Sequence, residues 1–392
     1  MSEMKQAVVL GGGIGGVEAA IELRKKGLEV EVVSDRDYLF VYPLAIWIPT
    51  GERPFDKVRM SLHEIARAHG FKVTVDEVVA VSAADRSFTL KNAGVRTDFD
   101  YLVLALGAHK MQHKGKEHVL SICGAPEESL TVKERLDALI AKGSGTIAVG
   151  FGGNPKDSSG VRGGPGFEFL LNVHHRLKKL GLLDKFQLVF FAPMPKPGIR
   201  MGEKAVTTMD SMFASLGIRS YTGKKITGFE EGAVTLEDGT RIEADLFMFI
   251  AAGDGHAVVK ASDLPLSEAG FVETNGACEV KGHPWLYAVG DVAALEGPDW
   301  KAKQGHIAEV MARTAAEDIE RKITGRGEQP SYVEDVCILC VMDMGNGAGL
   351  VYRDDKKAWF IPMPIVGHWL KKGWGTYYRL RKLGKIPRLP GM

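Results

Sequence analysis

Glycines near the start of the chain are spaced as in sites that bind the pyrophosphate of a dinucleotide. Val8-Val9-Leu10 runs into Gly11-Gly12-Gly13-Ile14-Gly15-Gly16. In such a turn Gly11 permits the tight reversal from strand to helix, Gly13 lets a pyrophosphate approach, and Gly16 lets the helix pack on the strand. The helix N-terminus then presents free N–H groups to the phosphates. A ligand-free glycine turn is the alternative, but an apolar strand precedes the turn and an amphipathic helix, predicted over residues 17–26, follows it.

A second strand end of the same kind lies far downstream. Leu286-Tyr287-Ala288-Val289-Gly290-Asp291 reads as a strand that ends in Gly-Asp. Together the two elements are typical of flavoproteins with two dinucleotide-binding domains, so we expect FAD, with the Asp291 carboxylate directed at its ribityl chain. The ribose partner should end the second strand, residues 28–33, where the sequence has Ser34 and then Asp35.

Cysteine thiols offer a second kind of chemistry. The chain has four, too few for a framework of structural disulfides. Cys337 and Cys340 form a C-x-x-C pair, which in a helical turn suits a redox pair. The residues around them, Val336-Cys337-Ile338-Leu339-Cys340-Val341, favour a strand, which would direct the two side chains to opposite faces. Cys278 is interpreted as a buried core residue.

Strands and helices must alternate to position these groups. Residues 5–110 alternate as in a parallel sheet with crossover helices, and the strand at 101–106 ends at Gly107. We predict an α/β fold with two Rossmann-like domains, of the flavoprotein disulfide-reductase type. The FAD-binding domain is split between 1–110 and 252–323, the second Rossmann-like domain spans 111–251, and 324–392 form a C-terminal region.

The glycine turn of the second domain is interrupted. Gly150-Phe151-Gly152-Gly153 begins like a fingerprint, but the next helix is predicted to start only near Phe167. This insertion displaces the helix N-terminus from the place where nicotinamide-dinucleotide phosphates would lie. We therefore expect no NAD(P)H there; a tolerated loop insertion with NADH binding intact is the alternative.

Composition narrows the function classes. Apolar residues make up 45% and charged residues 25%, and the net charge is +1, which gives no electrostatic basis for binding nucleic acid. No apolar run approaches the roughly 18–20 residues that span a bilayer. The N-terminus leads directly into a strand without a signal peptide, so we expect the protein on the cytoplasmic side.

The C-terminal segment has the composition of an interfacial helix. Leu370, Trp374, Tyr377 and Tyr378 recur at helical spacing from about His368. Basic residues flank them, namely Lys371, Lys372, Arg379, Arg381 and Lys382. This pattern predicts a monotopic, amphipathic membrane-binding helix on a flavin domain that folds without it. A docking helix or a dimer contact is the alternative.

Several longer motifs resemble those of the sulfide:quinone oxidoreductases and the related flavin subunits of flavocytochrome c sulfide dehydrogenases. The resemblance covers nearly the whole chain. It rests on Asp37-Tyr38-Leu39-Phe40-Val41-Tyr42-Pro43, Ser121-Ile122-Cys123, Gly164-Pro165-Gly166-Phe167-Glu168, Lys303-Gln304-Gly305 and Cys340-Val341-Met342-Asp343-Met344-Gly345.

The resemblance implies roles for individual residues. Cys123 and Cys340 would form the bridge that sulfide attacks, and Glu168 would move protons beside it. Lys303, with Gly305 following, would lie at the pyrimidine end of the flavin. Two departures stand out: Arg162 occupies the usual place of a further redox cysteine, and Glu127 the place of a histidine in some relatives.

The resemblance also implies the activity. Hydrosulfide would be oxidised to polysulfide or zero-valent sulfur, and two electrons would pass through FAD to membrane quinone, with residues 324–392 forming the quinone- and membrane-associated region. A homo-oligomer is expected and no metal site. Two alternatives stay open: a type II NADH:quinone oxidoreductase, and a flavin subunit that docks a cytochrome.

Overall fold

The structure, a computed structural model, describes residues 4–389. Its helices are α1 Ile14–Lys25, α2 Leu62–His69, α3 Glu128–Lys142, α4 Gly164–Lys179, α5 Glu203–Ser215, α6 Ala257–Lys260, α7 Gly305–Thr324 and α8 Val366–Lys382. Its strands through the first half of the chain are β1 Gln6–Leu10, β2 Glu29–Ser34, β3 Tyr38–Phe40, β4 Arg59–Ser61, β5 Lys72–Val75, β6 Val78–Ser82, β7 Ser87–Leu90, β8 Gly94–Arg96, β9 Tyr101–Leu104, β10 His109–Lys110, β11 Gly145–Phe151 and β12 Phe186–Ala192. The remaining strands are β13 Arg219–Thr222, β14 Ile226–Glu230, β15 Ala233–Leu236, β16 Arg241–Glu243, β17 Leu246–Ile250, β18 Gly253–Asp254, β19 Glu279–Val280, β20 His283–Ala288, β21 Ile338–Asp343, β22 Gly347–Arg353 and β23 Ala358–Pro364.

The first sheet has the strand order β19-β20-β9-β1-β2-β5, with β1 at its centre. β20, β9, β1, β2 and β5 run parallel, so the glycine turn after β1 and the Gly-Asp end of β20 lie at the same edge. Parallel strands need both faces covered, which explains why residues 7–10 are completely buried. Helices α1 and α7 pack against each other over this sheet.

A second parallel sheet, in the order β13-β12-β11-β17, forms the core of the second Rossmann-like unit. The short antiparallel pair of β10 and β18 connects the two units, matching Lys110 with Gly253. The α/β fold with two Rossmann-like units is thus confirmed, with the chain returning to the first sheet after β17.

The C-terminal region is an antiparallel sheet, β21-β22-β23, followed by α8. Cys340 lies in β21 opposite Val351 of β22. Helix α8 contacts all three of these strands. Cys337 directly precedes β21 and Cys340 lies within it, so the C-x-x-C pair is at a strand and not in a helical turn, as the β-rich sequence predicts.

Candidate functional site

The glycine turn after β1 has the shape of a pyrophosphate cradle. Gly11 has φ +119°, and its N–H donates to the carbonyl of Val33 at 2.7 Å. A Cβ on Gly16 would lie 1.9 Å from the carbonyl oxygen of Gly11, so only glycine permits this contact between helix and turn. A Cβ on Gly13 would meet no protein atom within 4 Å. The open side at Gly13, directly before the N-terminus of α1, fits a dinucleotide phosphate.

The two candidate ribose ligands differ in their surroundings. Ser34 ends β2, and its side chain is buried next to Gly12, whose Cβ position is 2.7 Å from the serine Oγ. Asp35 is exposed and pairs with Arg36. Both lie at the end of β2, where an adenosine ribose is expected.

The strand ends around Gly107 and Gly290 provide the second half of the cofactor site. Both glycines have positive φ, of +73° and +72°. The Asp291 carboxylate forms an ion pair with Arg162, which comes from the insertion before α4. Gly305 begins α7 and packs on Ile14, which is 3.0 Å from the position of a Cβ.

Lys303 is held beside Asp291. Its Nζ donates to the carbonyl of Asp291 at 3.0 Å and to that of Ala293, and lies 3.8 Å from the centre of the Phe271 ring. Burial lowers the pKa of Lys303 to about 7. The lysine predicted near the flavin therefore lies at the same strand end as the aspartate predicted for the ribityl chain.

The third group of residues joins α4, β21 and α8. The Sγ of Cys340 lies 3.7 Å from Oε1 of Glu168, and the Nζ of Lys371 forms an ion pair with Oε2 of the same carboxylate. Burial raises the pKa of Glu168 to about 7, despite the opposing effect of Lys371. Burial and the charge of Glu168 raise the pKa of Cys340 to about 12. A carboxyl group that titrates near neutrality beside a thiol can hold or deliver a proton there.

Lys371 is the functional candidate that the sequence reasoning missed. The basic and aromatic pattern of residues 367–383 assigned it to the basic rim of a membrane-binding helix. Its side chain instead points inward, with 7% exposure, because a buried Glu168 requires a cationic partner. Helical spacing offered one signal, since Lys371 follows His368 by three residues and must lie on the same face.

His368 and Trp47 hold the carboxylate of the neighbouring Asp343 through hydrogen bonds. His368 Nδ1 lies 2.6 Å from Oδ1 of Asp343, and Trp47 Nε1 donates to Oδ2 at 2.9 Å. Asn172 of α4 donates to the carbonyls of both Glu168 and Asp343, at 2.8 and 3.3 Å. These bonds hold α4, β21 and α8 together around the Glu168 carboxylate.

Cys123 is a buried residue in the loop before α3. Its electrostatic surroundings include Lys110, Arg162 and Glu168. The structure records Cys123 and Cys340 as free thiols, so their predicted bridge stays a prediction. Both thiols interact electrostatically with the same carboxylate, Glu168.

The other two cysteines lie in different environments. Cys278 is fully buried with φ +64°, in agreement with its interpretation as a core residue. Cys337 is half-buried, and its Sγ lies 3.4 Å from Nε2 of His306. Glu127, the other departure, accepts a hydrogen bond from the hydroxyl of Tyr38 at 2.7 Å.

The interrupted turn of the second unit is held by contacts with Phe151 and Gly253. Helix α4 begins at Gly164, three residues earlier than predicted, and residues 152–163 separate it from β11. The Phe151 ring lies beneath the helix start, 2.7 Å from where a Cβ on Gly163 would be. Asn154 anchors the insertion by donating to the Gly253 carbonyl at 2.9 Å.

The prediction of a basic rim is also wrong for the second half of the C-terminal helix, α8. Lys382 is completely buried and pairs with Glu18 of α1 and Glu309 of α7, and Arg381 pairs with the same two carboxylates. Glu18 has no exposed surface, so it requires these cations. Helix α8 is thus anchored on the flavin domain by buried ion pairs; that the flavin domain folds without α8 stays a prediction.

The apolar residues predicted to face the membrane are also less exposed than this prediction requires. Tyr378 is buried, while Trp374 and Tyr377 are half-buried. Exposure is concentrated at the junction of β23 and α8, where Val366 and Trp369 are 67% and 65% exposed. We call this surface the junction patch; it consists of Trp359, Ile361, Ile365, Val366, Trp369 and Leu370. Between residues 4 and 389, the structure contains no helix of the length and hydropathy that crossing a bilayer requires.

Comparison with known proteins agrees with this architecture. Residues 5–316 match the sequence profile described as pyridine nucleotide-disulphide oxidoreductase. The chain belongs to the pyridine nucleotide-disulphide oxidoreductase family. Proteins of this family bind FAD, and the chain is an FAD-dependent oxidoreductase.

Individual members of the pyridine nucleotide-disulphide oxidoreductase family are similar over most of the chain. The sulfide-quinone reductase of Aquifex aeolicus is 26% identical, over 89% of this chain and 84% of the relative. The crystal structure of the Aquifex aeolicus enzyme has a TM-score of 0.86, at 24% identity, and covers 97% of this chain and 92% of that one. The resemblance predicted from the motifs is thereby confirmed.

Two further matches carry names other than sulfide-quinone reductase. The type II NADH:quinone oxidoreductase Ndh of Mycobacterium tuberculosis is 23% identical over 82% of this chain and 73% of its own. The structure of NDH2 from Plasmodium falciparum in complex with NADH has a TM-score of 0.78 at 12% identity, with 98% of both chains covered. The overall fold therefore does not by itself distinguish the two activities.

Proposed function

We propose that the protein is a sulfide:quinone oxidoreductase. The observation that carries the proposal is the contact of Cys340 with Glu168, in which the thiol lies 3.7 Å from a buried carboxylate that also binds Lys371. A nucleophilic sulfur, a proton-holding group and a cation are the parts that sulfide chemistry and quinone protonation need. The similarity to the Aquifex aeolicus sulfide-quinone reductase supports the same assignment.

The reaction would divide into two halves. Hydrosulfide gives up two electrons and a proton as its sulfur becomes zero-valent, with Cys340 and Cys123 binding the sulfur. FAD, when bound, would supply the two-electron acceptor between hydrosulfide and quinone. The quinone takes up two protons, which Glu168, in contact with Cys340, and its ion-pair partner Lys371 would supply.

The cofactor would be held by the residues that the sequence predicted. Gly11, Gly13 and Gly16 would receive the pyrophosphate, Ser34 or Asp35 the ribose, and Asp291 the ribityl chain. Gly107, Gly290 and Gly305 would allow close approach of the backbone. Lys303, held beside Asp291, would place positive charge near the part of the flavin that becomes anionic on reduction.

We also propose that the protein binds a membrane surface through the junction patch. The exposed patch is apolar, includes two tryptophans, and spans β23 and the start of α8, the helix that presents Lys371 to Glu168. A lipid-soluble acceptor that arrives along α8 would therefore be led toward the Cys340 cluster. Monomeric soluble proteins expose large contiguous apolar patches only rarely.

A type II NADH:quinone oxidoreductase is the second candidate, because that fold carries NADH in a solved relative. The residue-level observation against it is the insertion at 152–163, which separates β11 from the N-terminus of α4. A nicotinamide cofactor normally places its pyrophosphate at that helix N-terminus.

Anaerobic titration of the purified flavoprotein separates the two candidates. Sulfide should bleach the flavin absorbance within the mixing time of a rapid-reaction instrument, and NADH should not. Cys340→Ser should abolish the bleaching by sulfide, while Cys278→Ala, at the buried cysteine, should retain it. Bleaching by NADH in preference to sulfide, or an unaffected Cys340 variant, would overturn the proposal in favour of NADH oxidation.

A further inference from the structure

Arg200 is the side chain that joins the insertion at 152–163 to the flavin domain. It lies between β12 and α5 and is half-buried. Its Nη1 donates to the carbonyl of Ser158 at 2.8 Å and to that of Lys301 at 3.0 Å, and its Nη2 donates to the carbonyl of Val161 at 2.5 Å. Two of these carbonyls belong to the insertion, and the third belongs to the segment that leads to α7. One guanidinium therefore holds both sides of the contact.

A second arginine fixes the main chain on which Arg200 lies. Arg353 ends β22, and its Nη1 donates to the carbonyls of Ile199 and Arg200 at 3.1 and 2.9 Å. The Arg353 guanidinium also lies 5.1 Å from the centre of the Trp300 ring. The C-terminal sheet thus holds the turn that carries Arg200, independently of the insertion.

The insertion also contacts two residues of the candidate flavin site. The backbone N–H of Lys303 donates to the carbonyl of Ser159 at 3.1 Å, and the Arg162 guanidinium pairs with the Asp291 carboxylate. The insertion leaves β11 of the second unit, so these contacts place it between the two units at the carboxyl ends of their strands. Ligands of such α/β sheets bind at those ends, and a nicotinamide donor would have to approach the flavin there.

The packing of the insertion against β18 leaves no space for a side chain at Gly160. A Cβ there would lie 2.8 Å from the carbonyl oxygen of Gly253. Asn154, near the start of the insertion, donates to the same carbonyl at 2.9 Å. The insertion is therefore closely packed and anchored near both ends, which a tolerated surface loop does not require.

We propose that Arg200 is a positioning residue that holds the insertion closed over the flavin site and thereby excludes hydride donors that approach from the second unit. Access would then select the electron donor, in addition to the displaced helix N-terminus of α4. The role of this closure in reserving the flavin for a sulfur donor rests on the proposed function; the closure itself rests on the contacts of the insertion.

Loss of Arg200 would remove three hydrogen bonds at once. Hydrogen bonds from a charged donor are stronger than those between neutral groups. The remaining anchors, at Asn154 and Arg162, lie near the two ends of the insertion and leave its middle free to move. The fraction of molecules in which the insertion is open should therefore increase.

Hydrogen exchange of the FAD-loaded protein tests whether Arg200 holds the insertion. Backbone N–H groups of the insertion, including those of Ser159 and Val161, donate hydrogen bonds within it. In Arg200→Met, peptides of the insertion should exchange about tenfold faster, while peptides of α3 exchange as in the wild type. Arg219→Met, at an exposed arginine of the same unit, is the matched control and should change neither. Unchanged exchange of the insertion in Arg200→Met would overturn the proposal.

Access to the flavin is measured with 1-benzyl-1,4-dihydronicotinamide, a hydride donor that has no pyrophosphate and so needs no dinucleotide site. It gives a hydride, two electrons with one proton, to the flavin and leaves as a pyridinium cation. Under anaerobic conditions, flavin in Arg200→Met should be reduced about tenfold faster than in the wild type and in Arg219→Met, with rates compared per bound flavin. Gly160→Ala is the second variant, because its Cβ displaces the insertion while Arg200 is retained. Reduction at the wild-type rate in both variants would overturn the exclusion of hydride donors, even if hydrogen exchange is accelerated.

Failure of this proposal is distinguishable from failure of the proposed function. Neither measurement uses sulfide or quinone, and the anaerobic sulfide experiment does not depend on Arg200. Faster reduction by the dihydronicotinamide in Arg200→Met, in a protein whose flavin sulfide does not bleach, would support the closure and overturn the sulfide activity alone.

Discussion

At the scale of single residues, Glu168 shows how one buried group acquires several partners from different parts of the chain. It is 3% exposed, lies 3.7 Å from the Cys340 thiol, and is paired with Lys371. Burial raises its pKa to about 7, so the carboxyl is largely protonated below that pH and largely ionised above it. A group in this state can donate a proton under neutral conditions.

The pH dependence of quinone reduction should follow the ionisation of the Glu168 carboxyl group. If Glu168 supplies a proton, the rate at which quinone reoxidises the reduced flavin should decrease as the pH rises through about 7. Glu168→Gln should abolish this inflection and lower the rate about 100-fold, the usual contribution of a positioned acid. Stopped-flow reoxidation over a pH series measures it, with Glu52→Gln at the surface ion pair as control. An inflection that persists in Glu168→Gln would assign the proton to another group.

Gly13 gives a residue-scale prediction for the cofactor. A Cβ at this position would contact no protein atom within 4 Å, so Gly13→Val should fold normally. The branched side chain would occupy the path of the pyrophosphate, and the protein should purify with little flavin. The ratio of flavin to protein absorbance measures the loss, with Gly373→Val as the control, because a Cβ at this exposed glycine of α8 would also meet no atom within 4 Å. Full occupancy in Gly13→Val would place the cofactor elsewhere.

At the scale of elements, ion pairs of α8 join the C-terminal region to the flavin domain. Lys371 binds Glu168 of α4, while Arg381 and Lys382 bind Glu18 of α1 and Glu309 of α7. Burial alone would raise the pKa of Glu18, but Lys382, Arg381 and Arg313 outweigh it and lower the pKa to about 2. Its ion pairs therefore stabilise the fold above the ordinary glutamate pKa, and this contribution is lost as the pH falls toward 2.

Removal of one partner from this cluster should destabilise the whole protein. Lys382→Met leaves part of the Glu18 charge buried without compensation and should lower the free energy of unfolding by about 3 kcal/mol. Lys385→Met, at an exposed lysine just beyond α8, should change it little. Urea unfolding at neutral pH compares the two variants. Equal stability would show that water or another group compensates Glu18.

At the scale of the whole molecule, the position of the exposed apolar side chains determines which surface would contact a membrane. The basic residues of α8 are mostly committed to ion pairs: Lys371, Arg381 and Lys382 inside the protein, and Lys372 with Glu52 at 2.9 Å. The junction patch supplies the apolar contact instead. Membrane binding would then depend on apolar insertion more than on anionic lipid.

Liposome flotation tests this distribution. The wild type should float with both neutral and anionic liposomes and should remain bound at high salt, since apolar insertion is not screened. Trp369→Ser with Leu370→Ser should prevent flotation, whereas Val95→Ser, at an exposed valine far from the patch, should not. Flotation restricted to anionic liposomes at low salt, or an unaffected double variant, would contradict apolar insertion by this surface.

The sequence by itself determined the features that depend on local spacing. The glycine turn at 11–16, the Gly-Asp strand end at 290–291 and the β-rich stretch around Cys340 all depend on near neighbours, so their pattern predicts the fold class and the flavin site. The interrupted second turn was predicted for the same reason, with the helix start only three residues from Gly164.

Only the tertiary structure decided which charges meet. Lys371, Arg381 and Lys382 look solvent-facing in a helical projection, but they point inward because Glu168, Glu18 and Glu309 are buried on distant helices. The partner of a buried charge depends on how elements separated by hundreds of residues pack together, and local periodicity contains no information about that packing.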